Sequence, residues 1–556
     1  MIRDFAKNIT WLKAWQGDQK VTVNKLDKQT WLCEPVSGPL RIEYEVYAWD
    51  LSVRTAHLDQ THAYFNGTSV FLKAHGAEHL PCTVDLVAPE GEQYKAWQVA
   101  TSLRCADARM YGFGRYQAAN YDELIDHPVE MGTFTLASFE ACGVQHDIAI
   151  TGKHAADMDR LCADLKIICE HQIRFFGEPA PVDRYVFQVM VVGEGYGGLE
   201  HRASTSLLCS RYDLPRAGEE KINEQYRNFL ALCSHEYFHT WNIKRIKPAV
   251  FLPYQLEQET HTPLLWMFEG FTSYYDELSL VHCGLINADE YLEMLGQTVT
   301  RVIRGNGRFL QSVAESSFDA WTKFYKQDEN ALNTIVSYYT KGTLIGLMLD
   351  LLIRERSDGD FSLDDVMRFL WLEYGQQQKG LHDDTVSRVI EQVCGFSLES
   401  EIQQMVYGID DIDIAGQLAK FAVEYHVRAA SSPTDSGGKA AQAGDTAPNS
   451  LGARYSADDS GVKLNMVLDS GAAQQAGLSA GDVIIAMDGI KVSADTLQTR
   501  LQHFAVGETL EIHAFRRDEL MLFELVVQLE PENTCFLTLA DASDKPLVRR
   551  KQWLHQ

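Results

Sequence analysis

The sequence predicts a multidomain α+β protein with a β-rich N-terminal domain, a mixed α/β and helical middle, and a small β-rich module near its C-terminus. Three patterns lead to this prediction. Apolar residues alternate from Leu40 to Ala48, helical spacing begins after Gly152, and alternation with turn glycines returns beyond Leu451. The 556 residues suffice for several domains, since a domain typically takes about 100 to 200 residues.

The first domain is predicted over residues 1–150. The stretch from Leu40 to Ala48 reads as a strand with one apolar face. Asn66-Gly67 lies between two apolar runs and has the turn chemistry of a hairpin whose central residues need positive φ. We therefore expect strands and hairpins throughout this part of the chain.

The middle domain is predicted over residues 151–415. Helical spacing is interrupted there by one strand-like apolar run, Tyr185 to Val192, which indicates a mixed α/β core. Helices dominate after Pro263, so the second half of this domain is expected to be a helical lobe.

The remaining chain divides into a connection and flexible linker over 416–450, a β-rich module over 451–531 and a tail over 532–556. Ala429 to Ser450 contains no aromatic residue and no Leu, Ile, Val or Met. A segment of this composition buries too little apolar surface to order itself, which predicts a flexible linker.

The composition excludes several classes of function. With 50 Lys+Arg against 77 Asp+Glu the net charge is −27, which argues against nucleic-acid partners and anionic membrane surfaces. The apolar run from Thr343 to Ile353 is too short to span a bilayer, so we expect no membrane insertion. Scattered cysteines and the absence of a secretory signal in Met1 to Gln16 favour the cytoplasm. A periplasmic location stays open if an upstream signal precedes this chain.

The strongest chemical signal is the motif His235-Glu236-Tyr237-Phe238-His239 within an apolar helical segment. Four residues make about one helical turn, so both imidazoles face the same way and can hold one Zn²⁺ ion per chain. Glu236 then projects beside the metal, where a general base is needed.

A third ligand is predicted at Glu269, inside an apolar helix that opens near Thr262 and Pro263. A buried carboxylate without a partner costs several kcal/mol, and coordination of zinc removes that cost. Asp276 is a weaker candidate for orienting a ligand. Cys233, two residues before the first histidine, is assigned to packing.

Taken together, these motifs resemble the glycyl aminopeptidase family of zinc metallopeptidases, within the broader gluzincin class. The resemblance covers nearly the whole chain and is carried by GGLEH at 197–201, SHEYFHTWNIKRIKP at 234–248, EGFTSYY at 269–275 and YTKG at 339–342. It implies an N-terminal β domain, a thermolysin-like catalytic domain and a C-terminal PDZ domain. In this family a P-G-S-Y-like motif usually precedes a segment like MIRDFAKN, so N-terminal strands are expected to be missing here.

The resemblance also implies roles for individual residues. GGLEH is similar to the segment of aminopeptidase N relatives whose glutamate holds the substrate's α-amine, which gives that role to Glu200, with Gly198 and His201 beside it. Tyr339 matches the tyrosine that stabilises the oxyanion, although Tyr338 is adjacent. The glycines at 193, 195 and 198 formally fit a dinucleotide-binding fingerprint, but no convincing amphipathic helix opens at the third glycine.

The C-terminal module resembles the PDZ domains of bacterial proteases through GAAQQAGL at 471–478 and the GDVI and DG motifs that follow. Such domains bind an extended peptide as an added strand, and Leu451-Gly452 is the expected loop for the peptide carboxylate. A peptide ligand of this domain is therefore an expected partner.

The sequence thus predicts an aminopeptidase that removes N-terminal residues from peptides with a free N-terminus. The family implies a preference for Gly and Ala. Two alternatives stay open. One is a zinc endopeptidase that its PDZ domain guides to substrates. The other is an inactive peptide-binding scaffold, against which the complete set of predicted ligands argues.

Overall fold

The computed structural model describes residues 3–441, 447–542 and 544–555, and the chain divides into two compact units between Lys247 and Pro248. The first unit is rich in strands. The second combines a helical lobe with a β-rich C-terminal module. The predicted multidomain α+β class is confirmed.

The first unit begins with short strands and ends with the longer elements of a five-stranded sheet. Its helices are α1 (Tyr121–Ile125), α2 (Met158–Phe176) and α3 (Glu224–Phe238). Its strands are β1 (Ile9–Gln16), β2 (Gln19–Val21), β3 (Val23–Lys25), β4 (Trp31–Cys33), β5 (Arg41–Val46), β6 (Ala56–Leu58), β7 (His62–Phe65), β8 (Cys82–Leu86), β9 (Gln98–Ala100), β10 (Arg104–Cys105), β11 (Gly114–Ala118), β12 (Val129–Gly132), β13 (Phe134–Ala141), β14 (Val144–Thr151), β15 (Arg184–Val192), β16 (Tyr196–Glu200) and β17 (Ser204–Ser210), with β18 (Lys247–Pro248) at the division.

The five-stranded sheet has the order β13-β14-β15-β17-β16, with β14, β15 and β17 parallel and the two edge strands antiparallel to their neighbours. Ile148, Phe187 and Leu207, from the three central strands, are almost fully buried. The predicted boundary at residue 150 falls inside this sheet, because β14 pairs with β13 on one side and with β15 on the other. Alternation alone could not reveal which sheet this hairpin joins.

The predicted hairpin turn at Asn66-Gly67 is wrong. Asn66 has φ −80° and caps a short 3-10 helix over Gly67–Ser69, where its side chain accepts a hydrogen bond from the Thr68 backbone. Gly67 is needed for another reason: a Cβ there would lie 2.7 Å from the Cα of Ile125. This turn therefore packs under α1 instead of joining two strands.

The second unit contains helices α4 (Leu265–His282), α5 (Ala288–Ile303), α6 (Val313–Phe318), α7 (Ala331–Thr334), α8 (Thr340–Arg356), α9 (Leu363–Leu370), α10 (Thr385–Cys394), α11 (Glu399–Ile402), α12 (Ile414–Ala419), α13 (Ala472–Gln475), α14 (Ala494–Leu501) and α15 (Lys545–Leu554). Its strands are β19 (Gly380–Leu381), β20 (Val423–Arg428), β21 (Asn449–Ser450), β22 (Ala453–Ala457), β23 (Val462–Val467), β24 (Val483–Met487), β25 (Ile490–Lys491), β26 (Thr509–Arg516), β27 (Glu519–Val526), β28 (Gln528–Leu529) and β29 (Thr534–Leu539).

The helical lobe is built around α8, which is apolar from Leu344 to Ile353 apart from Asp350. That carboxylate is fully buried and accepts hydrogen bonds from the Tyr274 hydroxyl (2.6 Å) and the Arg354 guanidinium (3.0 Å). The buried charge is thereby paired, which makes it tolerable in the core. None of the helices in the described part of the chain has the length and apolar character needed to cross a membrane.

The segments on either side of the C-terminal module belong to folded structure. β20 pairs antiparallel with β29, which lies in the stretch predicted as a tail. Within the predicted linker, Asp435 accepts hydrogen bonds from Arg428 and from the backbone of Ser431 and Gly437. This differs from the predicted flexible linker because polar contacts, which the composition argument ignored, hold the segment. Positions 442–446 of that linker lie outside the described residues.

The C-terminal module has its own core, in which strands β23, β24, β26 and β27 bury one face each. Leu510 of β26 is fully buried, whereas Leu522 of the neighbouring β27 is 56% exposed.

We expect Leu510→Ala to lower the free energy of opening of this module by about 2–5 kcal/mol, because it leaves a cavity in the core. Leu522→Ala is the matched control and should change it by less than about 0.5 kcal/mol. Hydrogen exchange of the β26 and β27 amides in the full chain measures both. Equal effects of the two variants would show that the core is assigned wrongly.

Candidate active site

The helix α3 carries the His-Glu-x-x-His motif at its C-terminal end. The Asn223 side chain caps its start by accepting from the Tyr226 amide, and His239 forms its C-cap with helical φ and ψ. His235 and Glu236 therefore lie in the last turn. The prediction that the motif lies on a buried helix is confirmed by the burial of Tyr226, Phe229 and the other apolar positions.

Buried hydrogen bonds hold α3 against the sheet and against α2. His146 of β14 donates from Nδ1 to the Val144 carbonyl (2.9 Å), so its Nε2 accepts from the Tyr237 hydroxyl (2.9 Å). Burial lowers the pKa of His146 to about 4, which keeps the ring neutral for this role. Gln172 donates to the Ser234 carbonyl (3.0 Å). The turn that bears the motif is thus fixed in position.

The two histidines of the motif present their Nε2 atoms to one another at 3.0 Å, with ring planes at 88°. His239 Nδ1 donates to the Asn242 carbonyl (2.9 Å), so its Nε2 is the ring nitrogen that carries the lone pair. Two ligands of a tetrahedral zinc ion at 2.0–2.1 Å are about 3.3 Å apart. The donor types, the tautomer of His239 and the spacing therefore fit a metal ion.

The segment GGLEH forms β16 and its exit. β16 is an edge strand that pairs antiparallel with β17, with Glu200 opposite Thr205. A Cβ at Gly198 would overlap the carboxyl group of Glu236, whereas a Cβ at Gly197 would meet nothing within 4 Å. A side chain at position 198 would therefore displace the carboxyl group of the predicted general base. No helix opens at Gly198, which excludes the dinucleotide-binding alternative.

Asp126 is a site residue that the sequence analysis missed. It is buried just after α1 and accepts hydrogen bonds from Lys244 (2.7 Å), the Arg202 amide (2.9 Å) and His201 Nδ1 (3.4 Å). Burial acts to raise the pKa of Asp126, but Lys244, His201 and Arg202 hold it well below its usual range. Its carboxylate ties the exit of β16, next to Glu200, to the turn after the zinc motif. No spacing pattern in the sequence signals a contact this distant.

In the second unit, two glycines bring Glu269 and Tyr339 together. A Cβ on Gly270 of α4 would overlap the backbone of Gly342 of α8, so these helices touch without side chains between them. This explains why EGF and YTKG both contain glycine. Burial and the charge of Glu269 raise the pKa of Tyr339 well above its usual value, so the phenol stays protonated and can donate.

The structure separates the two adjacent tyrosines. Tyr338 is fully buried and packs against Phe324, with ring centroids 4.6 Å apart. Tyr339 is partly exposed, and its hydroxyl lies 3.3 Å from that of Tyr325. Only Tyr339 of this pair is accessible to a ligand.

Cys233 and Asp276, which the sequence analysis assigned to packing and to orienting a ligand, are both buried. Cys233 is 1% exposed, and burial raises its pKa well above the usual range of a thiol, which suits the assignment to packing. Asp276 is also buried, seven residues beyond Glu269 on α4.

The predicted carboxylate loop of the C-terminal module is engaged internally. Leu451 is 3% exposed and belongs to the module's core, and its carbonyl accepts from the Ala473 amide (2.8 Å). Gly452 has φ +68° and packs against Gly471, while its own amide donates to Ser450 Oγ (3.2 Å). The Leu451 side chain therefore packs in the core of the module and anchors the loop, and it does not line an open groove.

Comparison with known proteins gives a consistent set of matches. The sequence model of the M61 glycyl aminopeptidase family matches residues 228–345, that of the peptidase M61 N-terminal domain matches 1–133, and that of the PDZ domain matches 449–527. A crystal structure of an aminopeptidase N family protein from Idiomarina loihiensis is 43% identical, with a TM-score of 0.95 over 99% of this chain and 92% of that chain.

A crystal structure of an M1 zinc metallopeptidase from Deinococcus radiodurans is more distant. It is 13% identical and has a TM-score of 0.46 over 73% of this chain and 85% of that chain. No curated protein matches the sequence.

The close approach at Gly198 gives a sharp prediction. We expect Gly198→Ala to reduce peptidase turnover at least about 100-fold, because a displaced base loses most of its contribution to catalysis. Gly197→Ala, one residue earlier in the same strand, should keep near-normal turnover. Steady-state kinetics of both variants, with circular dichroism to verify folding, measures the difference. Equal activity of the two would contradict the inferred approach of the strand to Glu236.

Proposed function

The chain belongs to the M61 glycyl aminopeptidase family and is an aminopeptidase, and we propose that it uses one zinc ion to release small N-terminal residues from peptides. The observation that carries this proposal is the fit of Gly198 against Glu236 beside the paired histidines. It joins the strand expected to bind substrate to the residues expected to do the chemistry.

We assign the zinc ligands to His235, His239 and Glu269. Support comes from the facing Nε2 atoms of the histidines and from the carbonyl that fixes the tautomer of His239. Glu269 is proposed as the third ligand from the family to which the chain belongs. When bound, zinc would act as a Lewis acid on the scissile carbonyl and would make water acidic enough to lose a proton near neutral pH.

Glu236 is proposed as the general base. It lies on the same helical turn as the paired histidines, next to the strand that would hold the substrate backbone. Its carboxylate would take a proton from the attacking water and pass it to the departing amine nitrogen.

Tyr339 and Glu200 are proposed to bind two groups of the substrate, the oxygen of the scissile carbonyl and the α-ammonium group. The Tyr339 phenol is protonated at neutral pH and would donate a hydrogen bond to the oxygen that becomes negative in the transition state. Glu200, at the end of β16, would pair with the α-ammonium group of the substrate. Gly198 allows the peptide backbone to approach, and His201 holds the strand exit through Asp126.

The preference for Gly and Ala is proposed from the family to which the chain belongs. The alternative of an endopeptidase guided by the PDZ domain differs in one property, since it would accept peptides whose N-terminus is blocked. A carboxylate at Glu200 favours the aminopeptidase, because an internal peptide leaves that charge without a partner.

Two further proposals concern partners and location. The C-terminal PDZ domain is proposed to take up an extended peptide, with Leu451 and Gly452 shaping the loop that receives its carboxylate. The scattered, odd-numbered set of 11 cysteines favours a cytoplasmic location.

The role of Glu236 is tested by Glu236→Gln. We expect the variant to keep stoichiometric zinc but to lose at least about 100-fold in kcat, since general-base catalysis typically contributes 10²–10⁴-fold. Glu224→Gln, at the exposed first turn of the same helix, is the matched control and should keep its activity. Mass spectrometry of the metal content and hydrolysis of Ala-p-nitroanilide provide the two readouts. Retention of wild-type turnover in Glu236→Gln would disprove the assigned base.

The role of Glu200 is tested by comparing free and N-acetylated Ala-p-nitroanilide. We expect the wild type to cleave only the free amine, and Glu200→Gln to lower kcat/KM for it about 10- to 100-fold, as expected for losing a charged hydrogen bond of about 1.5–3 kcal/mol. Glu194→Gln, exposed in the loop before β16, is the control. Cleavage of the acetylated substrate by the wild type at a comparable rate would favour the endopeptidase alternative.

A further inference from the structure

The hairpin formed by β6 and β7 gathers a second set of metal-ligand side chains within the first unit. His57 lies on β6, His62 begins β7, and Asp59 stands at the turn between them. Side chains two apart on a strand share a face, so His57 and Asp59 point the same way. The Asp59 amide bonds to the His62 carbonyl (3.1 Å), which sets these two residues opposite each other and places all three on one face.

The three side chains are close enough to bind one ion. One ligand atom from each lies within 4.8 Å of the others. His57 Nε2 is 3.2 Å from Asp59 Oδ2. That separation exceeds the roughly 2.7–2.9 Å of a charge-assisted N–H···O bond. It is close to the spacing of about 3.3 Å between two ligands of tetrahedral zinc.

The turn already fixes the carboxylate in an orientation that suits a ligand. Asp59 Oδ1 accepts hydrogen bonds from the Thr61 amide and hydroxyl (both 2.6 Å) and from the His62 amide (3.1 Å). These bonds leave Oδ2 as the atom that faces His57. An aspartate whose only task was to cap this turn would not require a histidine at its second oxygen.

The imidazole of His62 has the support that metal-binding histidines typically have. Its Nδ1 lies 3.2 Å from Glu130 Oε1, and Glu130 in turn accepts from Thr151 Oγ1 (2.9 Å). Glu130 is 4% exposed and lies on the adjacent strand β12. A carboxylate that accepts a hydrogen bond from one ring nitrogen of a histidine fixes the tautomer and raises the basicity of the other nitrogen. With Nδ1 bonded to Glu130, Nε2 is the ring nitrogen of His62 that carries the lone pair.

We propose that His57 Nε2, Asp59 Oδ2 and His62 Nε2 form a second binding site for a divalent first-row transition metal ion, with zinc as its occupant. Two imidazoles and one carboxylate select such ions over magnesium or calcium, which prefer oxygen ligands alone. The site would join the two strands of the hairpin across its turn. It is independent of the proposed catalytic zinc, since none of its residues is assigned to the reaction.

The first test counts metal ions in the full chain. After equilibration with zinc and gel filtration, we expect two zinc ions per wild-type chain, and one in either His57→Gln/His62→Gln or His235→Gln/His239→Gln. The four-fold variant should contain none. His75→Gln/His79→Gln, which changes two exposed histidines of the same unit, is the matched control and should keep both ions. Wild-type binding of a single ion that is lost only with His235 and His239 would overturn the second site.

The second test follows the site directly in the His235→Gln/His239→Gln chain. The Trp49 ring lies 5.2 Å from the His57 ring, so Cu²⁺ at this site should quench its fluorescence, and Trp49→Phe should abolish that quenching step. We expect Glu130→Gln to weaken Cu²⁺ binding about 10- to 100-fold, the usual cost of removing a carboxylate behind a histidine ligand. Asp59→Asn, which keeps the turn hydrogen bonds, should weaken it further. Quenching unchanged in Asp59→Asn and Glu130→Gln would contradict the proposal even if the histidine variants failed to fold.

Discussion

β16 lies directly against the side chain of Glu236, and this contact links the edge strand to the helix that carries the histidine motif. Because a Cβ at Gly198 would overlap that carboxyl group, a side chain at this position would displace the proposed general base. The spacing of strand and helix is maintained from several sides. Tyr237 is bound to His146 in the sheet, and Asp126 ties the strand exit to the turn after α3. A mobile strand or helix would lose this register.

Glycine also permits a close contact in the second unit, where Gly270 and Gly342 let the backbones of α4 and α8 touch. Burial, together with the charge of nearby Glu269, raises the pKa of Tyr339 well above its usual value. The buried carboxylate of Asp350 on α8 is paired with Tyr274 and Arg354, as the low dielectric of a core demands. Backbone contact at glycine thus brings functional groups closer than packed side chains would allow.

Short-range patterns made much of this predictable. The helical spacing around His235, the apolar run at 185–192 and the alternation at 40–48 each formed the expected element. Contacts between distant residues were not predictable. The sequence could not show that β13 and β14 join the catalytic sheet, or that Asp126 reaches His201. The Asn66-Gly67 pair misled because burial against α1, not turn geometry, requires its glycine. The spacing of His57, Asp59 and His62 carries meaning only once the hairpin is known.

The position of the bound metal ion decides whether His235, His239 and Glu269 are its ligands. Crystals of the full, zinc-replete chain, measured on both sides of the zinc absorption edge, would reveal zinc by its anomalous scattering. We predict a strong anomalous peak within about 2.0–2.2 Å of His235 Nε2, His239 Nε2 and a carboxylate oxygen of Glu269. A zinc peak elsewhere, with none at this histidine pair, would contradict it.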